Sequence, residues 1–294
     1  MFFYGLYLVG ASLSRFLSRP VCYWIARRLG DFCYGASPAD RKSVRNNLCA
    51  ILGTSEVSSA QVREVFRSFA MYLADFFRFG RITPEEIRRR VRMEGMEQMR
   101  AALNQGHGAI GLTAHLGNSE LAGAVLALLG FPVNAVVLTH RNPMVDAFFT
   151  RQRASVGVRP LAVQRQSRRD FFKACISCLE RNEILALAGD RDFFDHGIEL
   201  SLFGRSIRVP NGPVAFSLKT GAPIVPGFLV REKDGNYRFV LEPPIPIPHG
   251  VSRDEAARRM TQACLDVMAK YIRQYPTQWY MFREFWKQVP PVVI

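Results

Sequence analysis

The sequence is poor in acidic residues. It has 25 aspartates and glutamates against 39 lysines and arginines, which leaves a formal net charge of +14 at pH 7. Such an excess of positive charge predicts an anionic partner, either nucleic acid or a membrane surface. Zinc-finger spacing and an RNA-recognition signature are both missing, but the charge alone does not decide between the two partners; the amino-terminal segment described below favours a membrane surface, and we expect no nucleic acid. Repeats and low-complexity stretches are missing too, and the 294 residues, 48% of them hydrophobic, can form one large domain or two small ones.

Cysteine is also scarce, with six residues in the chain. Cys175 and Cys178 form a Cys-x-x-Cys pair inside residues 170–181, a stretch with the pattern of an amphipathic helix. No second pair accompanies them, so we expect no zinc site. We interpret the cysteines as buried thiols of a protein in a reducing compartment.

The chain lacks an apolar run of the about 20 residues that a membrane-spanning helix requires. Its first apolar run covers residues 1–13 and has neither the basic start nor the cleavage site of a signal peptide. A second aromatic-rich stretch covers residues 21–29. Arginines flank both runs: Arg15, Arg19, Arg27 and Arg28. We predict that residues 1–35 form helices lying in a membrane interface, with guanidinium groups at lipid phosphates; the alternative is a pair of core helices.

Residues 36–294 are predicted to form one further domain, helical over residues 36–90 and α/β over residues 91–294. In the helical part, the apolar periodicity predicts helices over residues 41–51 and 58–80. Thr83 is expected to cap a third helix that has Pro84 in its first turn.

From residue 91 onward, short apolar runs alternate with helical segments. Strands are predicted near residues 91–94, 108–114, 133–138, 183–188, 223–231 and 236–241. Helices are predicted near residues 95–104, 118–130, 142–155, 167–181, 211–220 and 252–274. This alternation predicts an α/β fold with a mostly parallel central sheet and helices on both faces.

A histidine follows the apolar strand at residues 109–114. His115 is therefore expected at the carboxyl end of a buried strand, where open α/β sheets place their sites, and Asn118 or Ser119 can cap the helix that follows. Glu120, in the first turn of that helix, could bind one ring nitrogen of His115 and leave the other free to accept a proton. The alternative is a structural histidine that caps the helix.

The same spacing recurs at His249 and Asp254. A proline-rich segment precedes this second pair, and no buried strand does, so we interpret it as a surface turn that leads into a helix.

Further stretches carry polar groups at element ends. Arg141 and Asn142 open a helix whose far end carries Arg151 and Arg153. Asp190, Arg191 and Asp192 directly follow a predicted buried strand, and either a functional site or a structural ion-pair turn fits them. Residues 211–213 begin a helix whose amino terminus can hold an anion. Residues 276–286 are rich in aromatic side chains, which fits either plain packing or the wall of a lipid channel.

These motifs, in this order, resemble those of the bacterial lipid A biosynthesis acyltransferases (the late, secondary acyltransferases) and the related phosphatidylinositol mannoside acyltransferases. The segment from His115 to Glu120 resembles the family's His-x-x-x-x-Asp/Glu signature, with Ser119 where an aromatic residue usually stands. The other blocks are residues 45–48, 141–153, 190–192, 202–204, 212–213, 220–223 and 276–286. The Asp190-Arg191-Asp192 form is more similar to the mannoside branch.

The resemblance implies a glycerolphosphate-acyltransferase-like fold and a membrane-associated acyltransferase at the cytoplasmic face of the bacterial inner membrane. Such an enzyme transfers a fatty acyl chain from an acyl carrier protein or coenzyme A thioester to a hydroxyl of a membrane glycolipid, for example a lipid A precursor. No metal and no cofactor beyond the thioester co-substrate are expected.

The resemblance also implies the roles of individual residues. His115 accepts the hydroxyl proton, Glu120 holds the imidazole, and Arg153 stabilises the developing oxyanion, assisted by backbone N–H groups near Gly117 and Asn118. The expected substrate-binding residues are Asn118, Arg141, Asn142, Asp190, Arg191 and Asp192.

Two other classes of function remain open at this point. A serine hydrolase is conceivable because residues 117–121 half-resemble a Gly-x-Ser-x-Gly nucleophile elbow, although the second glycine is missing and the histidine precedes Ser119. A non-catalytic membrane lipid-binding protein would explain the basic charge and the aromatic residues, but it would give His115 and Glu120 no role.

Overall fold

The computed structural model describes residues 9–14, 16–163, 167–191 and 197–286. Among the residues singled out above, Arg15 and Asp192 lie outside the described residues, as does the start of the first apolar run. No described helix is long and apolar enough to cross a membrane.

The first part of the chain is helical. Residues 9–14 are helical, and they are followed by α1 (Arg19–Ala36), α2 (Pro38–Leu52), α3 (Ser59–Phe77) and α4 (Pro84–Arg90). Ser58 and Gln61 form a capping box at the start of α3, which satisfies two backbone donors. The side chain of Thr83 accepts a hydrogen bond from the Glu86 amide at the start of α4, so the predicted cap is confirmed.

The second part contains a seven-stranded sheet. Its strands are β1 (Val91–Glu94), β2 (Ala109–Thr113), β3 (Val133–Val137), β4 (Arg159–Ala162), β5 (Ile184–Ala188), β8 (Ile224–Arg231) and β9 (Tyr237–Leu241). The strand order is β1-β9-β8-β2-β5-β3-β4. All neighbours pair in parallel except β8 and β9, which form an antiparallel hairpin. The mostly parallel sheet predicted from the sequence is therefore confirmed.

Helices cover both faces of this sheet: α5 (Met96–Leu103), α6 (Ser119–Leu128), α7 (Pro143–Ala154), α8 (Arg168–Glu180), α9 (Gly212–Thr220) and α10 (Arg253–Gln274). Alternate residues of β2 and β5 point to opposite layers. Ala109 and Ile184 belong to one hydrophobic cluster with α5, α6 and α7, whereas Ile110 and Leu185 belong to another with α8, α9 and α10.

Three strands were not predicted. The edge strand β4 is short and contains Pro160, which edge positions tolerate because a ladder N–H is not needed there. β6 (Ile198–Leu202) and β7 (Arg205–Val209) form a separate two-stranded sheet. Their turn residues, Phe203 and Gly204, both have positive φ. The alternating apolar residues on either side of this Phe-Gly pair were a usable signal.

The cysteine prediction is partly confirmed. Cys175 and Cys178 are buried free thiols on α8, and burial raises their pKa values to about 12 and about 11. Cys22 and Cys264 are also buried, but Cys33 is exposed on α1 and Cys49 is half-buried. The prediction of a buried thiol is therefore wrong for Cys33, and Cys49 is only partly covered because it packs at the edge of a small hydrophobic cluster.

Candidate active site

The loop after β2 is fixed from two sides by backbone hydrogen bonds. The Asn118 amide donates to the Leu229 carbonyl at 2.7 Å, while the Gly117 amide donates to the Gln278 carbonyl at 2.9 Å. Gly117 has a φ of 62°, and a side chain there would collide with the Leu229 carbonyl oxygen. The loop is thus held against β8 and the carboxyl-terminal segment, and this fixes His115 at the end of β2, as predicted.

His115 binds Asp190 and not an acid of its own segment. Its ring nitrogen Nδ1 lies 2.7 Å from Asp190 Oδ1, and its backbone N–H donates to Asp190 Oδ2 at 3.0 Å. The indole N–H of Trp279 donates to the same Oδ2 at 2.9 Å. β2 and β5 pair in parallel with Thr113 opposite Ala188, so the residues just beyond the two strand ends become neighbours.

The environment keeps Asp190 ionised. Burial by itself would raise the pKa of this carboxyl, but the charge and hydrogen bond of His115, the charge of Arg191 and the Trp279 N–H together hold the pKa well below its ordinary value. An ionised carboxylate only accepts hydrogen bonds, so the proton of the neutral imidazole is assigned to Nδ1. Nε2 is then free to accept a proton, which is the state that a general base requires.

Glu120 does not hold the imidazole, so that part of the sequence prediction is wrong. Its carboxylate binds Arg153 of α7: Arg153 Nε lies 3.2 and 3.0 Å from the two oxygens, and Nη2 lies 2.5 Å from Oε1. Burial by itself would lower the pKa of Arg153, but Glu120 raises it above its ordinary value. A guanidinium can form two parallel hydrogen bonds to one carboxylate. Both oxygens of Glu120 bind Arg153 in this way, so they do not bind the imidazole.

Asn118 is a structural cap, which does not fit its predicted contact with substrate. Its side-chain oxygen accepts from the Leu121 amide at 3.0 Å, and its amide nitrogen lies 3.4 Å from both Asp75 Oδ2 and Tyr237 Oη. The residue is 0% exposed. The predicted capping of α6 by Asn118 is confirmed.

The backbone donors predicted for an oxyanion are also engaged, because the amides of Gly117 and Asn118 bond to Gln278 and Leu229. These two amides are therefore not available as donors to an oxyanion. The next two amides, of Ser119 and Glu120, begin α6 and make no hydrogen bond to another described residue.

A cleft of ≈ 350 Å³ opens beside His115. Its lining residues are Phe69, Tyr72, His115, Ser119, Arg191, Tyr280, Phe282 and Arg283. Phe69 contacts Tyr72, Tyr280 and Phe282 with ring centroids 5.2–5.7 Å apart. These rings form one wall, and half of them come from the apolar stripe of α3, which sequence periodicity marked only as core. Two arginines line the same cleft: Arg191, for which substrate binding stays a prediction, and Arg283, to which no role was given.

The remaining predicted residues lie elsewhere. Arg141 is exposed in the loop before α7, and the side chain of Asn142 caps α7 by accepting from the Met144 amide at 2.9 Å. Neither lines the cleft. His249 is exposed outside regular structure and precedes the Ser252 cap of α10, which confirms its interpretation as a surface turn. Ser119 lines the cleft, but no hydrogen bond joins its hydroxyl to His115, which disfavours a serine nucleophile.

An imidazole held by a buried carboxylate, open to an aromatic cleft at the carboxyl edge of a parallel sheet, defines an enzyme that can activate a hydroxyl group. The family model described as bacterial lipid A biosynthesis acyltransferase matches residues 1–288. The chain belongs to this family. It is an acyltransferase that acts on lipid or glycolipid substrates.

The similar proteins of known name fall into two groups. The chain is 26% identical to a phosphatidylinositol mannoside acyltransferase of Mycolicibacterium smegmatis over 255 residues, 86% of this chain and 82% of that protein. It is 27% identical to a protein of the same name from Mycobacterium tuberculosis over 257 residues, 86% and 79% of the two chains. It is 24% identical to the lipid A biosynthesis palmitoleoyltransferase of Escherichia coli over 281 residues, 93% and 87% of the two chains.

Proposed function

We propose that this protein transfers a fatty acyl chain from a thioester of acyl carrier protein or coenzyme A to a hydroxyl of a membrane glycolipid. The observation that carries the proposal is the His115–Asp190 pair at the aromatic cleft. The acceptor is a lipid A precursor or a related glycolipid, because the similar proteins are named for lipid A and for phosphatidylinositol mannosides.

The proposed reaction begins with the acceptor hydroxyl at His115 Nε2. The hydroxyl oxygen attacks the thioester carbonyl, a C–O bond forms, and Nε2 takes the proton. Asp190 stabilises the imidazolium and keeps the ring oriented. When the tetrahedral intermediate collapses, the C–S bond breaks, and the leaving sulfur receives the proton from the imidazolium. The ester and the free thiol are the products, and neither step uses a metal.

The carbonyl oxygen becomes negative in this step and needs hydrogen-bond donors. Arg153 stays a prediction for this role: Glu120 holds two of its nitrogens and Nη1 has no partner among the described residues, but Arg153 is not among the residues that line the cleft. The amides of Ser119 and Glu120 are further candidates, because they are unengaged at the first turn of α6. Losing one such donor typically costs about 3–4 kcal/mol in the transition state.

Three predicted substrate contacts stay predictions. Arg141 and Asn142 lie near the start of α7, outside the cleft lining, and Asp192 lies outside the described residues. An acceptor with a large head group could extend from the cleft toward the loop before α7. In that case Arg141, whose side chain is exposed, could contact the head group. The side chain of Asn142 already caps α7.

We also propose that the amino-terminal helices dock on the cytoplasmic face of the inner membrane. Large apolar side chains are exposed there: Phe16 is 86% exposed, Phe32 is 72% exposed and Trp24 is 61% exposed. On α1, Val21, Trp24 and Phe32 recur at helical spacing and form one outer face. Contiguous exposed apolar surface of this kind is typical of an interaction site.

The arginines of this region divide between two faces, which corrects part of the docking prediction. Arg19 is buried and binds Asp75 at 3.4 Å, so it does not reach lipid phosphates. Arg27 pairs with Glu64 at 3.1 Å. Arg28 is mostly exposed beside Trp24, and its one ion pair among the described residues, with Asp31 at 3.8 Å, is long enough for a phosphate to compete with it. The docking proposal therefore rests on the exposed apolar residues more than on the arginines.

Vesicle co-sedimentation tests the docking proposal. Replacing Trp24 and Phe32 with serine should lower retention on anionic vesicles, because less apolar area enters the interface. Met144→Ser is the control, since Met144 is an exposed apolar residue on α7, away from this face. Equal retention of all three proteins would contradict the proposal.

Mass spectrometry tests the proposed reaction. Membrane lipids from cells without the gene should contain a glycolipid that lacks a single acyl chain. The purified protein with an acyl donor should add that chain. His115→Ala should fail to add it, whereas a lipid carrier would be unaffected by that change. Ser119→Ala should add it, whereas a serine hydrolase would lose all activity.

A further inference from the structure

Two arginines line the cleft beside His115, and neither forms an ion pair with a carboxylate in the part of the chain that the structure describes. Arg191 follows Asp190, and Arg283 comes from the carboxyl-terminal segment. None of the described residues that line the cleft is acidic. Two other arginines are paired with carboxylates: Glu120 binds Arg153, and Glu94 binds Arg238.

The donors of these two arginines are largely unused. Arg191 Nη2 donates to the Tyr280 carbonyl at 2.6 Å, while its buried Nε has no partner. The neighbouring Asp190 gives both of its oxygens to His115 and Trp279. Arg283 forms no ion pair among the described residues. Burial lowers the pKa of Arg191; the charge of Asp190 opposes this, and the like charge of Arg283 lowers the pKa further.

A cleft with this arrangement favours an anionic ligand. Two like charges that share a partly buried space repel each other, and an anion between them would relieve the repulsion and use the free donors. The guanidinium fork matches the oxygens of a phosphate in two places. The same cleft also offers apolar surface, from the rings of Phe69, Tyr72, Tyr280 and Phe282.

We propose that Arg191 and Arg283 form a binding subsite for a phosphate group of a substrate, next to the reacting hydroxyl. This inference rests on the proposed function, because it names the chemistry of a ligand of the same cleft. The phosphate comes either from the head group of the acceptor glycolipid or from the phosphodiester of the pantetheine arm that carries the acyl chain. A phosphate held here would place the acceptor hydroxyl, or the thioester, at a fixed distance from His115.

Direct binding tests the subsite without any turnover. Thermal unfolding of the folded protein with increasing inorganic pyrophosphate should show a rise in Tm for the unmodified chain. The rise should be lost in Arg283→Gln and retained in Arg283→Lys, which keeps the charge. Arg151→Gln is the matched control, because Arg151 is an exposed arginine on α7 that lines no part of the cleft. An equal rise in Arg283→Gln and in the unmodified chain would overturn the subsite.

Kinetics identify the source of the phosphate. If it belongs to the acceptor, Arg283→Gln should raise the KM for the acceptor about 10-fold, as expected for one charge-assisted hydrogen bond, with little change in the KM for the donor. If it belongs to the donor, the KM for acyl-coenzyme A should rise instead, and an acyl-N-acetylcysteamine thioester, which has no phosphate, should show no such rise. A loss of kcat with both KM values unchanged would overturn the proposal in favour of an oxyanion role.

The binding experiment and the kinetic experiment distinguish failure of the subsite from failure of the proposed reaction. If no acyl transfer is detected with any glycolipid but pyrophosphate still raises the Tm in an Arg283-dependent way, the subsite stands and the proposed reaction fails. If transfer proceeds and the pyrophosphate effect is the same in all variants, the reaction stands and the subsite fails. Arg191→Gln serves as a second variant if Arg283→Gln does not fold.

Discussion

Two carboxylate–cation pairs lie beside the loop after β2, and they differ in access and in chemistry. In one, Asp190 holds His115, whose ring faces the cleft. In the other, Glu120 holds Arg153, and neither residue lines the cleft. Histidine can exchange a proton near neutral pH, whereas arginine keeps its charge. The first pair can therefore move a proton, and the second can only supply fixed charge.

The comparison shows that a sequence motif can identify residues near the site and still predict the wrong contact between them. His115 and Glu120 are close in sequence, but the first turn of α6 directs Glu120 toward α7 and Arg153. The acid that reaches the imidazole comes from the neighbouring strand β5 instead. Tyr72 lines the cleft with His115, and its pKa responds to the second pair: burial and Glu120 raise it, and Arg153 opposes them. The charges of the second pair therefore act on a residue of the cleft wall, although the pair itself does not line the cleft.

The largest effect is expected from removing the base. His115→Ala should lower kcat/KM about 10² to 10⁴-fold, the usual contribution of a general base. Steady-state acyl transfer measures this, with circular dichroism to show that the variant is folded. His249→Ala is the control and should be nearly silent, because His249 is exposed on a surface turn. Near-normal turnover by folded His115→Ala would remove the histidine from the mechanism.

Asp190→Asn should come next. An asparagine can donate to Nδ1 and so favour the tautomer with the proton on Nε2, which cannot act as the base; the expected loss in kcat is roughly 10² to 10⁴-fold. The KM values should change little. A loss confined to KM would show that Asp190 contacts substrate instead of positioning His115. Steady-state kinetics of the two proteins measure both constants, and a pH profile of kcat for Asp190→Asn that differs in shape from that of the unmodified enzyme would support the tautomer argument.

Glu120 and Arg153 should behave as one unit. Glu120→Gln or Arg153→Met alone leaves a buried charge without its partner and should destabilise the fold by about 3–5 kcal/mol in urea unfolding, while the double variant should lose much less than the sum.

If Arg153 also stabilises the oxyanion, Arg153→Ala should lower kcat more than it raises KM. Arg151→Ala is the control, because Arg151 is exposed on the same helix. Strictly additive stability losses would refute the pairing, and equal small kinetic effects in both arginine variants would refute the oxyanion role.

The smallest effect concerns a carboxylate with a structural role alone. Glu183 binds Arg159 and Arg181 at 2.8 and 2.9 Å, and Asn134 also donates to it. Burial opposes its ionisation, but these partners lower the pKa to about 2. Because the pKa is depressed in the folded state, its stabilisation is present above the ordinary pKa and is lost as the pH falls toward 2.

Glu183→Gln should therefore cost at most about 3 kcal/mol at pH 7, and the difference from the unmodified protein should shrink below about pH 4.5. Urea unfolding at several pH values measures this, and acyl transfer at pH 7 should be unaffected. A difference that grows as the pH falls would contradict the argument.

The sequence by itself determined most of the fold and half of the site. Apolar periodicity located β1, β2, β3, β5, β8, β9 and the helices around them, because buried strands and amphipathic helices differ in period and length. The position of His115 at a strand end and the cap at Asn118 were local features, so local pattern was enough to predict them. The short edge strand β4 and the β6–β7 hairpin carried weaker local signals and were missed.

Only the tertiary structure decided which groups meet. The parallel register of β2 and β5 joins His115 to Asp190, and the hydrophobic cluster that α6 and α7 share brings Glu120 to Arg153. The carboxyl-terminal segment brings Trp279 and Arg283 to the same cleft. These contacts span large separations along the chain, and hydrogen bonds and charges act through space. Spacing along the sequence therefore could not reveal which acid holds the base.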